Sequence, residues 1–150
     1  MKTQPYGSPT KRIGDRAELR LIDVALSLGF DVLHPWGDNS AYDVVLLTPT
    51  AVRRVQVRST ATLALNRYRV QAVFGNHKRV YSRHMVDFLA AYVFPHDAWY
   101  IFPMHSLKRS ANIYMRPHLP VSASTERVSN LKNNDRPAWE RYRNAWHLLE

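Results

Sequence analysis

The chain has 150 residues, 45% of them apolar, and 21 Lys and Arg against 12 Asp and Glu give it a net charge of +9. That length suits one domain with a real core, the apolar content excludes wholesale disorder, and no apolar run is long enough to span a bilayer. Cysteine is absent, which excludes disulfides and thiolate metal sites and leaves oxygen or imidazole for any metal. A positive field attracts polyanions, and most of the bases are Arg, whose fork fits phosphate. Nucleic acid is the expected partner, with a basic surface of no particular function as the alternative. Residues 1–12 are polar, carry Pro5, Gly7 and Pro9, and lack the apolar stretch of a secretory signal. They are expected to be a loose leader to one domain over residues 13–150 of an intracellular, cytoplasmic protein.

Leu21, Ile22, Ala25 and Leu28 recur at helical spacing. They predict a helix from Thr10, as N-cap, to a stop at Gly29. Phe30 to His34 reads as a short strand, and Pro35 to Ser40 as a loop of turn formers. Tyr42 to Leu47 and Val52 to Arg58 are apolar strands joined by a turn at Thr48-Pro49-Thr50. Ser59 to Asn66 reads as loop, Tyr68 to Phe74 as a strand, and Gly75 to Arg83 as a basic connection. Val86 to Val93 and Trp99 to Pro103, parted by Pro95-His96-Asp97, look like a hairpin, although the first could be a helix. Ala111 to Met115 reads as a short strand and Pro117 to Asn134 as a surface loop. A closing helix from Pro137 would bury Trp139, Tyr142, Trp146 and Leu149 as a stripe. The predicted class is α/β with a mixed sheet.

The chemistry gathers on the hairpin. A turn centred between Pro49 and Thr50 puts Asp43 opposite Gln56, on one face and with Cβ atoms about 5 Å apart. Side chains alternate, so Arg54 and Arg58 share that face while Val55 and Val57 point into the core. A carboxylate, an amide and a guanidinium are costly to bury without partners. A divalent cation is one solution, with Asp43, the Gln56 carbonyl and a strand carbonyl near Val57 as ligands. An Asp–Arg ion pair at a sheet edge is the other. Glu18 lies three, four and seven residues before Leu21, Ile22 and Ala25, on or beside the buried face of the first helix. Alternatively, Asp15 to Glu18 is a capping box and Glu18 is structural.

The order Gly14-Asp-Arg-Ala-Glu18, Pro35-Trp-Gly-Asp-Asn39, Tyr42-Asp43, Val55-Gln56-Val57-Arg58 resembles the PD-(D/E)XK nuclease superfamily. Within it the chain is similar to the group I intron homing endonuclease branch in which Gln replaces the second acid. Val86 to Val93 with Trp99 to Pro103, and Tyr142 to Leu149, resemble bacterial relatives of that branch. The resemblance implies a restriction-endonuclease-like core, αβββ…β with a C-terminal helix. It implies a metal-dependent DNA endonuclease using Mg²⁺, with Mn²⁺ as substitute. It makes Asp43 the central ligand, Gln56 the second and Glu18 the helix-borne assistant, with Arg58 where the family usually has Lys. Arg stays protonated, so Arg58 could contact phosphoryl oxygens but not act as a base. A silenced, DNA-binding nuclease fold is the rival. Cutting both strands of a duplex would call for a homodimer or larger homo-oligomer.

Arg53, Arg54, His77, Lys78, Arg79 and Arg83 are the expected contacts to duplex or branched DNA, with Tyr81 in that run as a stacking platform; a solvated loop is the alternative. Asp38 either aids the metal or shapes a turn. His34, His84, His96, His105 and His118 show no ligand spacing, and Asp87 reads as structural.

Overall fold

The computed structural model describes residues 8–37, 39–74, 79–107, 111–119 and 137–150. Asp38, His77, Lys78 and most of the expected Pro117–Asn134 loop lie outside them. Helix α1 spans Pro9–Ser27. Pro9 suits a first helical turn, where its missing N–H costs nothing. Ser8 is the N-cap, its Oγ accepting from the Lys11 backbone N–H at 3.2 Å. The predicted cap, Thr10, therefore sits inside the helix, as do residues 9–12 of the expected leader. The early start also removes the Asp15–Glu18 capping box: Glu18 lies mid-helix. Gly29 follows at φ 82°, a left-handed value that glycine takes without a Cβ clash.

Ten strands follow: β1 Asp31–Leu33, β2 Val44–Leu47, β3 Val52–Thr60, β4 Leu63–Ala64, β5 Arg67–Gln71, β6 Val73–Phe74, β7 Arg79–Val80, β8 Phe88–Val93, β9 Ala98–Pro103 and β10 Asn112–Met115. The main sheet runs β1-β2-β3-β8-β9; β3 and β8 are parallel and the other neighbours antiparallel. A smaller sheet runs β10-β5-β4, and β6 pairs with β7. This is the expected mixed α/β architecture. The expected loop Ser59–Asn66 is instead the end of β3 plus β4, and the single strand Tyr68–Phe74 divides at Ala72. The parity of the side chains sorts the core into two layers. Val55, Val57, Phe88, Ala90 and Ile101 pack with Ala17, Leu21 and Ala25 of α1. Leu89, Ala91, Val93, Tyr100 and Phe102 pack on the opposite face with Tyr68, Val70 and Ile113 of the smaller sheet. Every residue of β8 and β9 is buried, as in a strand covered on both faces, which explains why β8 lacks alternation in sequence.

The predicted C-terminal helix is corrected. Pro137–Tyr142 and Trp146–Leu149 are separate 3₁₀ turns. Between them Asn144 stands at φ 51°, its N–H donating to Trp99 O at 2.7 Å and its Oδ1 accepting from Trp99 N at 3.0 Å. Edge strand β9 thus recruits the segment as a bridge, Tyr100 to Arg143, and that tertiary pairing overrides the helical stripe.

Candidate active site

The β2–β3 register is the one the turn predicts. Val44 pairs with Val55 and Leu47 with Val52, so Asp43, just before β2, comes beside Gln56. Asp43 N donates to Val55 O at 3.0 Å. Its Oδ2 accepts from Gln56 Nε2 at 2.6 Å and from the Val57 N–H at 2.7 Å. Gln56 is 4% exposed, and its Nε2 also donates to Val57 O at 3.2 Å. With its amide nitrogen committed twice, Gln56 Oε1 accepts nothing among the described residues; nor does Asp43 Oδ1.

Glu18, half-buried on α1, reaches the same electrostatic neighbourhood. Burial first, then Asp43 and Asp15, push its carboxyl up to about 7 against the pull of Arg58. Asp43 is also raised, by burial, although the Val57 N–H, Arg58, Gln56 and His34 oppose the shift. Asp43, hydrogen-bonded to Gln56 and within electrostatic reach of Glu18, belongs to an all-oxygen donor set, the type that hard divalent cations take. The residues therefore fit such an ion. No group of three or more His, Asp or Glu able to hold a metal occurs among the described residues, so the set depends on Gln56. The Val57 carbonyl, expected as a third ligand, is already shared by Gln56 Nε2 and Arg58 Nη1.

Arg58 makes no direct ion pair with Asp43. Its guanidinium reaches β5, β6, Tyr81 and its own strand: Nε to Gln71 O at 3.2 Å, Nη1 to Val57 O at 3.3 Å, and Nη2 to Val73 O and Tyr81 Oη, each at 2.8 Å. Four of its N–H donations go to the protein, so the expected forked phosphate contact meets a group already engaged. Its charge still lowers both carboxyls. Tyr81 is 4% exposed, which rules out its expected role in base stacking.

Arg53 and Arg54 are also occupied. Arg53 Nε and Nη2 donate to Leu149 O at 2.9 Å and Glu150 O at 2.8 Å. Arg54 forks onto Asp87, Nε to Oδ2 at 3.1 Å and Nη2 to Oδ1 at 3.0 Å, while its backbone N–H donates to Oδ2 at 2.7 Å. Asp87 is structural, as expected. Arg79 and Arg83 are exposed. His34 makes only the smallest of the electrostatic contributions to Asp43, and nothing in the structure gives it a further role.

A helix leading into a mixed sheet, with an acid at the entry to one strand, an amide on the next and a helix-borne acid in electrostatic reach of the first, is the arrangement of a restriction-endonuclease-like nuclease. Residues 8–147 match the PD-(D/E)XK endonuclease family, and the chain belongs to it. The chain is similar to the structure of a bacterial homing endonuclease, I-Ssp6803I, at 28% identity and TM-score 0.67, over 95% of this chain and 92% of that one. A Holliday junction resolvase, Hjc of Archaeoglobus fulgidus, aligns at 19% identity and TM-score 0.46 over 69% of this chain and 84% of that one. No curated protein matches. No helix among the described residues is long and apolar enough to cross a membrane.

Proposed function

We propose that this protein is a DNA endonuclease that uses Mg²⁺, or Mn²⁺ in its place, held by Asp43, Gln56 and Glu18. The supporting observation is the commitment of Gln56 Nε2 to Asp43 Oδ2, which leaves an amide oxygen and a carboxylate oxygen uncommitted, with Glu18 in electrostatic reach of Asp43. A bound divalent ion supplies Lewis-acid activation of water and neutralises charge on the scissile phosphate. Asp43 is oriented for that task by the Val57 N–H and Gln56. Arg58, permanently charged, adds positive potential but takes no proton. A homodimer or larger assembly brings two such sites to a duplex.

The test is incubation with supercoiled and branched DNA, with and without Mg²⁺ or Mn²⁺. Metal-dependent nicking is expected, and Asp43→Ala lowers it by about a hundredfold or more, equivalent to ~3 kcal/mol of lost transition-state stabilisation. Nicking that survives Asp43→Ala refutes the assignment. One observation favours a second reading, a silenced nuclease fold that only binds DNA: the Arg58 guanidinium is held by carbonyls and Tyr81. Salt-sensitive binding without nicking, with cleavage gained in Arg58→Lys, supports that reading instead.

A further inference from the structure

The outer face of the smaller sheet has a composition that structure alone does not require. In β5, Tyr68 and Val70 point into the core while Arg69 and Gln71 are exposed and Arg67 half-buried. The register sets Tyr114 of β10 opposite Arg69, and the Arg67 guanidinium lies 3.9 Å from the centre of the Tyr114 ring. Thr60, Thr62, Arg67, Arg69 and Tyr114 are among the residues lining an open recess of about 570 Å³. The chain carries no Asp or Glu between Asp43 and Asp87, nor between Asp97 and Glu126, and all three strands of this sheet come from those two stretches. A merely solvated face mixes both signs of charge. This one offers guanidinium, amide, phenol and hydroxyl groups, with no acid on its own strands or among the residues lining the recess.

The face is fastened to the candidate active site. Arg58, two residues past Gln56 on β3, donates to Gln71 O and Val73 O. The Gln71 end of β5 therefore adjoins the site, and the strand leads away from it toward Arg67. At ~3.4 Å per residue, β5 covers about 14–17 Å, the rise of about four base pairs. The major groove admits a β-ribbon, where Arg reads guanine and Gln reads adenine, each through paired hydrogen bonds.

We propose that the outer face of β4–β5–β10, through Arg69 and Gln71, reads base edges in the major groove of duplex DNA over about four base pairs to one side of the cut. This rests on the DNA-directed reading above and deepens it. Binding selection from a randomised duplex library, in Ca²⁺ so that cleavage is not needed, tests it. Wild type is expected to select a sequence. Arg69→Ala and Gln71→Ala each lose discrimination about five- to a hundredfold at one or two positions and keep it elsewhere. Arg69→Lys retains the charge but loses the fork, so preference falls while the salt dependence of binding stays. Three results overturn the proposal: no sequence selected by wild type, an unchanged motif in every variant, or a uniform loss of affinity with a salt slope reduced by about one, the mark of a phosphate contact. The nuclease reading fails separately, by absence of Asp43-dependent nicking, and leaves the selection result standing.

Discussion

Glu18 is a half-buried carboxyl within electrostatic reach of a second one, and its ionisation works against the metal-free fold. Its folded pKa, about 7, lies above the ordinary carboxylate value, so the folded state holds the proton more tightly than the unfolded chain. Stability attributable to Glu18 is complete below the ordinary value and declines as pH rises through 7. Without metal, Glu18→Gln should melt higher than wild type at pH 8 and no higher at pH 4, read by thermal denaturation. Asp87 behaves oppositely. Burial pushes its carboxyl up, but hydrogen bonds from Arg54 pull it further down. Its contribution is present above the ordinary carboxylate range and disappears as pH falls through the lower folded value. Asp87→Ala strands the half-buried Arg54 guanidinium and should cost about 1–3 kcal/mol by urea titration.

At the scale of elements, the C-terminal 3₁₀ turns are held by one buried acid. Glu140 is 1% exposed; its Oε2 accepts from Tyr100 Oη at 2.6 Å, its Oε1 from Arg116 N at 2.7 Å, and Arg143 lies 3.5 Å away. Glu140→Ala leaves those donors unsatisfied and should destabilise the fold by about 3–5 kcal/mol. The β4–β5 turn shows the converse, a local misfit. Leu65 and Asn66 stand at φ 50° and 59°, values that suit Asn-Gly in a hairpin, and Leu65 is 85% exposed. Leu65→Asn should stabilise by about 1 kcal/mol. Helix α1 and the β2–β3 hairpin were legible because period 3.6 and a single turn fix them locally. The closing helix was misread because β9, distant in sequence, needed an edge partner. Nothing in the sequence marks Glu140, because its partners Tyr100 and Arg116 lie far away along the chain.

For the whole molecule, charge divides into groups that hold the fold and groups that face outward. Arg53 and Arg54 bind the chain's own oxygens, so their Ala variants should lose stability. Arg79→Ala and Arg83→Ala should each reduce the slope of log affinity for DNA against log salt by about one, measured by fluorescence anisotropy. A single site cuts one strand; sedimentation is expected to show a dimer or larger species if duplex cleavage is the activity.

The sequence by itself determined the class of fold, the pairing of Asp43 with Gln56 and the positive character of the molecule. Those depend on residue periodicity, turn position and composition, which are local or additive quantities. Only the tertiary structure decided that Arg58 is tied to Gln71, Val73 and Tyr81, that Arg53 and Arg54 bind the chain's own oxygens, and that Arg69 and Gln71 share an outward face anchored near the site. Which partner a long charged side chain takes depends on segments far away along the chain, and no spacing rule encodes that choice.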